Sequence, residues 1–368
     1  MNDLISSITP YLVPGEKTSK AWWFRKPYIL VKVRTKTGIT GWGECHLLNR
    51  REKAIISMIR SVSEIVVGQP SDDIRAILQT AFNSFGEQRP GLEVYAAYAG
   101  IEIALWDILG KRLNVPVFNL LGGSCHDSIP VYANIYSPFP QSPKSYADMA
   151  ARQIEAGHKV IKLYPFSVNT SIREGVAILH AVRTEVGPDV GLAVDLWRHA
   201  TPSLAISIAK AIEPFDVLWL EDPFPPTDPD SLRYVRDSIV QPLMTGETLP
   251  TKREFAGLLS SRAIDFVNPD ICLSGILEIQ AIASMAETAF VKLSPHNSNS
   301  MALGTAVSVN VSAGIPNLGI VEYFPLFEKA LDDYCSGRPV VNCGEITLPQ
   351  RSGLGISFDE TSMSRFEV

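Results

Sequence analysis

The sequence predicts an α/β protein built on a TIM-like β/α barrel, with a cap drawn from both termini. Two observations carry this expectation. Chemistry-bearing residues end successive apolar runs at a constant interval: Asp195, Glu221 and Glu247 stand 26 residues apart, and Asp270, His296 and Glu322 repeat that interval. Such a step accommodates one strand, one helix and two loops, and the C-terminal strand ends of a β/α barrel converge on one face where active sites sit. The second observation is length, since 368 residues exceed the roughly 250 of a plain barrel and leave room for an added module. Boundaries are expected at 1–125 for an α+β cap, 126–325 for the barrel, and 326–368 for a segment returning to the cap.

Each element has a local reason. YILVKVRTKTGITGWGE places two alternating apolar runs around a Thr-Gly turn, a hairpin pattern. Apolar residues then recur at helical spacing from Glu52 to Val67 and from Ser71 to Phe85, with Gln69-Pro70 dividing the two. A longer helix is predicted near Val94 to Leu109, with Val94, Tyr98, Ile101, Leu105 and Ile108 on one face. From Ile129 onward eight strand-like runs alternate with helical ones: PVYAN, KVIKLY, VGLAVD, VLWLE, PLMTGE, AIDFVN, FVKLSPH and LGIVE. That alternation marks a mostly parallel sheet, and eight runs match a closed barrel. After Pro325 turn residues are too frequent for another unit, and RSGLGISFD is predicted to return towards the first module.

Composition narrows the function. With 46% hydrophobic and 20% charged residues and a net charge of −6, the chain can bury a large core and shows no basic stripe for nucleic acid. No run of about 18 apolar residues occurs, and the N-terminus lacks a charged stretch followed by an apolar one, so neither a membrane span nor a signal segment is expected. A cytoplasmic location is expected. Cys45, Cys125, Cys272, Cys335 and Cys343 are odd in number and never form a CxxC pair, which argues for reduced thiols rather than disulfides or a zinc site.

Asp195, Glu221 and Glu247 at one barrel mouth cannot all stay charged without a cation, and a hard divalent ion such as Mg²⁺ prefers such oxygen donors. Singly, a strand-end acid often caps the following helix; three in register favour a metal. Lys162 and Tyr164 point the same way because side chains alternate along a strand. His199 follows Asp195 by four residues and is expected to face the next helix or loop.

GIEIALWDILGK, PVFNLLGG, the KLY around Lys162, the three acids, NPDICLSG, SPH and IVE together resemble the enolase superfamily, mandelate racemase subgroup, over nearly the whole chain. The resemblance implies a modified barrel with an α+β N-terminal cap, a catalytic Mg²⁺ on Asp195, Glu221 and Glu247, and removal of the proton next to a substrate carboxylate. It implies Lys162 and His296 as acid–base residues, Asp270 as the partner that orients His296 and raises its basicity, and Glu322 as a protonated acid donating to a carboxylate oxygen. Tyr164 departs from the many relatives with a second lysine there. It acts as acid or base if Lys162 and the ion depress its pKa, or else only hydrogen-bonds the substrate. Trp197 is a second departure and narrows the pocket or merely packs.

Specificity in the family comes from cap loops, here residues 20–26 and 44–51. Arg25 is the first choice for a substrate contact and His46 the second; Arg50 and Arg51 are further candidates, and Trp22, Trp23 and Phe24 would exclude water. The function expected is a Mg²⁺-dependent sugar-acid dehydratase. Tyr164 assisted by Lys162, or else His296, removes the α-proton, with His296 preferred as the acid that expels the β-hydroxyl. A racemase or epimerase and a sugar-acid lactone cycloisomerase are alternatives on the same scaffold, and a barrel that binds ligand without turnover is the alternative from another class. A homo-oligomer is expected, since relatives are often multiples of dimers.

Overall fold

The cap begins with a strand that the sequence analysis did not anticipate. In the computed structural model, which describes residues 3–15, 25–47, 50–85, 90–135, 142–297, 300–327 and 330–368, β1 (Ile5–Val13) pairs antiparallel with β2 (Tyr28–Thr35). Pro10 obscures β1 in the sequence, yet β1 is an edge strand, where a missing ladder donor is tolerated. The predicted hairpin follows: β2 pairs antiparallel with β3 (Thr40–Cys45), and Gly38 takes a φ of +94° in the turn. Among the described residues, the cap continues with α1 (Glu52–Val66), α2 (Ile74–Phe85) and α3 (Leu92–Leu113).

Helix α3 lies directly on β3 because two glycines leave room for its backbone. A Cβ on Gly41 would stand 2.0 Å from the Ala104 carbonyl oxygen, and one on Gly43 would stand 1.8 Å from that of Gly100. Buried Asp107 on α3 then ties three regions together. Its carboxylate accepts from the Trp42 N–H at 3.1 Å, the Leu354 N–H at 2.9 Å and the Lys111 ammonium at 2.7 Å.

The barrel strands are β4 (Ser128–Ile135), β5 (Val160–Leu163), β6 (Gly191–Asp195), β7 (Leu220–Glu221), β8 (Leu243–Thr245), β9 (Phe266–Val267), β10 (Lys292–Leu293) and β11 (Val321–Tyr323). Consecutive strands from β4 to β10 pair in parallel, β11 pairs in parallel with β4, and a parallel bridge between Leu293 and Leu318 closes the circle. Helices between the strands start on hydrogen-bonding residues; Ser171 and Glu174, for example, form a capping box. Tyr132, Ala193, Trp219 and Met244 fill the interior, making a packed floor beneath the strand ends.

The last segment touches both the barrel and the cap. A strand at Glu345–Thr347 pairs antiparallel with β4, Tyr11 bridges Glu367, and the Val368 N–H donates to the Pro10 carbonyl at 3.2 Å. Among the described residues no helix is long and apolar enough to cross a membrane.

Filling the contact between α3 and β3 should strain the cap. Gly43→Ala is expected to destabilise the protein by about 1–3 kcal/mol, as overpacking of a tight contact does, measured as a lower urea midpoint.

Candidate active site

Strand periodicity and register bring the acids together. Asp195 and Glu221 are paired residues at the ends of β6 and β7, and Glu247 lies two residues past β8. All three are buried, and one carboxylate oxygen from each lies within 4.8 Å of the other two. Hard oxygen donors this close, with no sulfur or imidazole among the three, fit a divalent cation.

Lys162 on β5 reaches the same point. Its ammonium is fully buried, 2.7 Å from Glu221 Oε1, 2.7 Å from Glu322 Oε1 and 3.3 Å from Asp195 Oδ2. Burial opposes the charge, but Glu221 and Glu322 outweigh it and hold the ammonium well above its ordinary pKa. The floor assists from below: Trp219 Nε1 donates to Glu221 Oε2 at 2.9 Å, and Asn268 Nδ2 donates to Oε1 at 3.0 Å. Burial and the Glu221 charge raise the Asp195 carboxyl well above the usual range, and Glu221 is itself raised, by burial first. Glu247 goes the other way. Burial would raise it, but His296 and Arg198 hold it well below.

The expected dyad is formed. His296 Nδ1 lies 2.7 Å from Asp270 Oδ2, with both residues buried, while Asp270 Oδ1 accepts the backbone N–H groups of Cys272 at 2.9 Å and Leu273 at 3.0 Å. Burial would raise the Asp270 carboxyl, but His46 and His296 keep it charged. His296 Nε2 faces Glu247 Oε2 at 2.8 Å and Glu322 Oε2 at 3.4 Å. These carboxylates overcome the effect of burial and raise the imidazole well above its ordinary pKa.

Two acid–base assignments meet opposing effects. The Tyr164 assignment requires Lys162 and the ion together to depress its pKa; burial raises the phenol well above the ordinary value, and the Lys162 charge alone does not offset this. Its oxygen accepts from Asn134 Nδ2 at 2.7 Å. Glu322 was expected to stay protonated. Burial does favour that, but Lys162 and His296 hold the group below the ordinary value. Its oxygens accept from Asn134 Nδ2 at 2.8 Å and the Asn297 N–H at 2.9 Å, as a carboxylate's would.

The rim residues divide. His46 enters the site, with Nδ1 3.1 Å from Asp270 Oδ2. Trp197 is half-buried with a φ of +44°, and its backbone N–H donates to Asp195 Oδ1 at 2.7 Å. His199 instead lines a separate cleft with Phe166, Leu204 and Ile208. Arg25 and Arg50 are exposed, and Arg51 pairs with Glu93 at 3.4 Å. Trp22, Trp23 and Phe24 lie outside the described residues.

Several site residues escaped the sequence analysis. Asn134 lies one residue before the end of the first barrel strand, where a rule based on strand ends rather than on charge would have found it. Arg198, at a φ of +63°, pairs with both Asp222 and Glu247; no pattern in the sequence marks that contact. Lys26 is partly buried near Asp270, Glu247 and Glu44, and burial lowers its ammonium to about 8. Glu44 is buried, raised by burial to about 7, and accepts the N–H groups of Met301 at 3.0 Å and Gly304 at 2.9 Å.

With this geometry in place, comparison with known proteins decides the family. Residues 14–122 match the family model of the mandelate racemase / muconate lactonizing enzyme N-terminal domain, and residues 145–362 match that of the enolase C-terminal domain-like family. The chain belongs to the enolase superfamily. Among its relatives is a D-xylonate dehydratase of Haloferax volcanii, 30% identical over 90% of this chain and 84% of that protein. Others are a D-gluconate/D-galactonate dehydratase of Picrophilus torridus, 29% identical over 96% and 90%, and a D-galactarolactone cycloisomerase of Agrobacterium fabrum, 28% identical over 94% and 92%. An enolase from Sargasso Sea environmental sequencing superposes with a TM-score of 0.93 at 26% identity, covering 100% of this chain and 98% of the other. A mandelate racemase/muconate lactonizing enzyme from Jannaschia superposes with a TM-score of 0.90 at 29% identity, covering 99% and 98%. Enolase superfamily members use a divalent metal, and the Asp195, Glu221 and Glu247 cluster fits one.

Ion binding should tighten as pH rises. Asp195 and Glu221 titrate above the usual carboxylate range, so protons compete with the cation at low pH and leave when it binds. Calorimetry should show proton release and stronger Mg²⁺ affinity at pH 8 than at pH 6. Asp195→Asn should weaken binding on the order of 100-fold, at least as much as the loss of an outer partner does.

Proposed function

We propose that this enolase superfamily member is a Mg²⁺-dependent sugar-acid dehydratase. It would remove the proton next to the carboxylate of a hydroxy acid and eliminate the β-hydroxyl. The observation carrying this reading is the meeting of the three acids with the His296–Asp270 pair at one barrel mouth. Similarity to D-xylonate and D-gluconate/D-galactonate dehydratases supports the substrate class.

A cation held by Asp195, Glu221 and Glu247 would supply the positive charge that makes an enediolate accessible. The chain's own groups do the rest. Lys162, fixed by Glu221 and Glu322, presents its ammonium where negative charge develops. The Lys162 ammonium is engaged by Glu221 and Glu322 and the Tyr164 phenol by Asn134, whereas His296 Nε2 faces the acid cluster while Asp270 fixes Nδ1, so the α-proton is assigned to His296. Tyr164 serves as a neutral hydrogen-bonding group. His46 and Trp197, with Arg25 further out, belong to the substrate-binding rim. The β-hydroxyl then leaves as water and the resulting enol becomes a 2-keto-3-deoxy acid.

The cycloisomerase relative favours a second reading, in which the same enediolate expels a lactone ring oxygen. Screening mono- and diacid sugars and their lactones with Mg²⁺ separates the two by product mass, since dehydration loses one water and cycloisomerisation loses nothing. Deuterium wash-in at the α-carbon without loss of water would instead mark an epimerase. His296→Asn should lower kcat on the order of 10³-fold, within the range for a positioned base, while Mg²⁺ affinity changes little. Unchanged turnover in that variant would remove His296 from the chemistry.

A further inference from the structure

Asp270 serves two imidazoles. Its Oδ2 lies 2.7 Å from His296 Nδ1 and 3.1 Å from His46 Nδ1. His46 belongs to the cap, one residue past β3, and it is firmly held. Its N–H donates to the Cys272 carbonyl at 2.9 Å, in the turn that Asp270 caps, and neighbouring Glu44 accepts the N–H groups of Met301 and Gly304 beyond His296. The two rings stand 6.4 Å apart between centroids.

With both Nδ1 atoms facing one carboxylate, the two Nε2 atoms point away from it. That of His296 faces Glu247 and Glu322. The Nε2 of His46 has no protein partner among the described residues, and the side chain keeps 15% of its exposure. Dehydration needs a base at the α-carbon and an acid at the β-oxygen. Two rings 6.4 Å apart that share one carboxylate and turn their Nε2 atoms away from it supply one group for each of these tasks.

We propose that His46 is a catalytic residue, the general acid that protonates the departing β-hydroxyl; this rests on the dehydratase reading above. His296 Nε2 takes the α-proton, and the C–H electron pair enters the enediolate. That pair then forms the Cα–Cβ double bond as the Cβ–O bond breaks, and the His46 Nε2 proton goes to the leaving oxygen, giving water and an enol. On ketonisation the proton on His296 goes to Cβ, and the enol hydroxyl proton restores His46. The net change is loss of one water, with both imidazoles returned to their starting states.

A leaving group that needs no proton tests this. The full-length enzyme with Mg²⁺ is given D-xylonate, D-gluconate and D-galactonate together with their 3-deoxy-3-fluoro analogues, and water loss and fluoride release are measured for wild type and His46→Gln. Glutamine retains an N–H for Asp270 but carries no transferable proton. Dehydration should fall about 100-fold or more, while fluoride release falls by at least about tenfold less and reports that the variant is folded and still deprotonates the α-carbon. Equal losses of both activities would overturn the assignment, as would dehydration that survives the substitution, since His296 alone would then handle both protons. Wild-type protein that eliminates neither water nor fluoride would defeat the dehydratase reading itself.

Discussion

The site depends on one buried electrostatic arrangement, the Lys162 ammonium set among Asp195, Glu221 and Glu322. Charges taken out of water are costly unless paired and hydrogen-bonded. Lys162 compensates these three carboxylates. Glu247 beside them is met by Arg198 and His296. Asp195, Glu221 and Glu247 still gather carboxylate oxygens within 4.8 Å of one another, an arrangement that fits a divalent cation.

Division of labour follows from the architecture. The barrel supplies the three clustered acids, Lys162 and the dyad, at its strand ends above a floor of Tyr132, Trp219 and Met244 that also donates a hydrogen bond to Glu221. The cap supplies His46 and Glu44 from the end of one hairpin strand. Close approach of α3 to Gly41 and Gly43 fixes that hairpin, and Asp107 links it to the C-terminal segment. Cap packing and catalytic geometry are therefore mechanically continuous.

Much of this was legible in the sequence because barrel units repeat. The spacing of Asp195, Glu221, Glu247, Asp270, His296 and Glu322 reflects the length of one βα unit, so side chains with shared geometry recur at a shared interval. Strand β1 was not legible, since its proline is acceptable only at an edge that a single strand cannot reveal. Asn134 was missed because neutral amides carry no charge signal, and Arg198 because its contacts arise from a left-handed backbone turn. The protonation of Tyr164 and Glu322 was not legible for a common reason. Each depends on the balance between burial and the Lys162 charge, which requires coordinates: burial prevails at the phenol, Lys162 and His296 at the carboxylate.

Anomalous diffraction from crystals soaked in Mn²⁺, an oxygen-seeking stand-in for Mg²⁺, tests the central claim most directly. A single strong peak bonded to carboxylate oxygens of Asp195, Glu221 and Glu247 is the expected result. A peak elsewhere, or density in which those three side chains hold no common ion, would contradict the account.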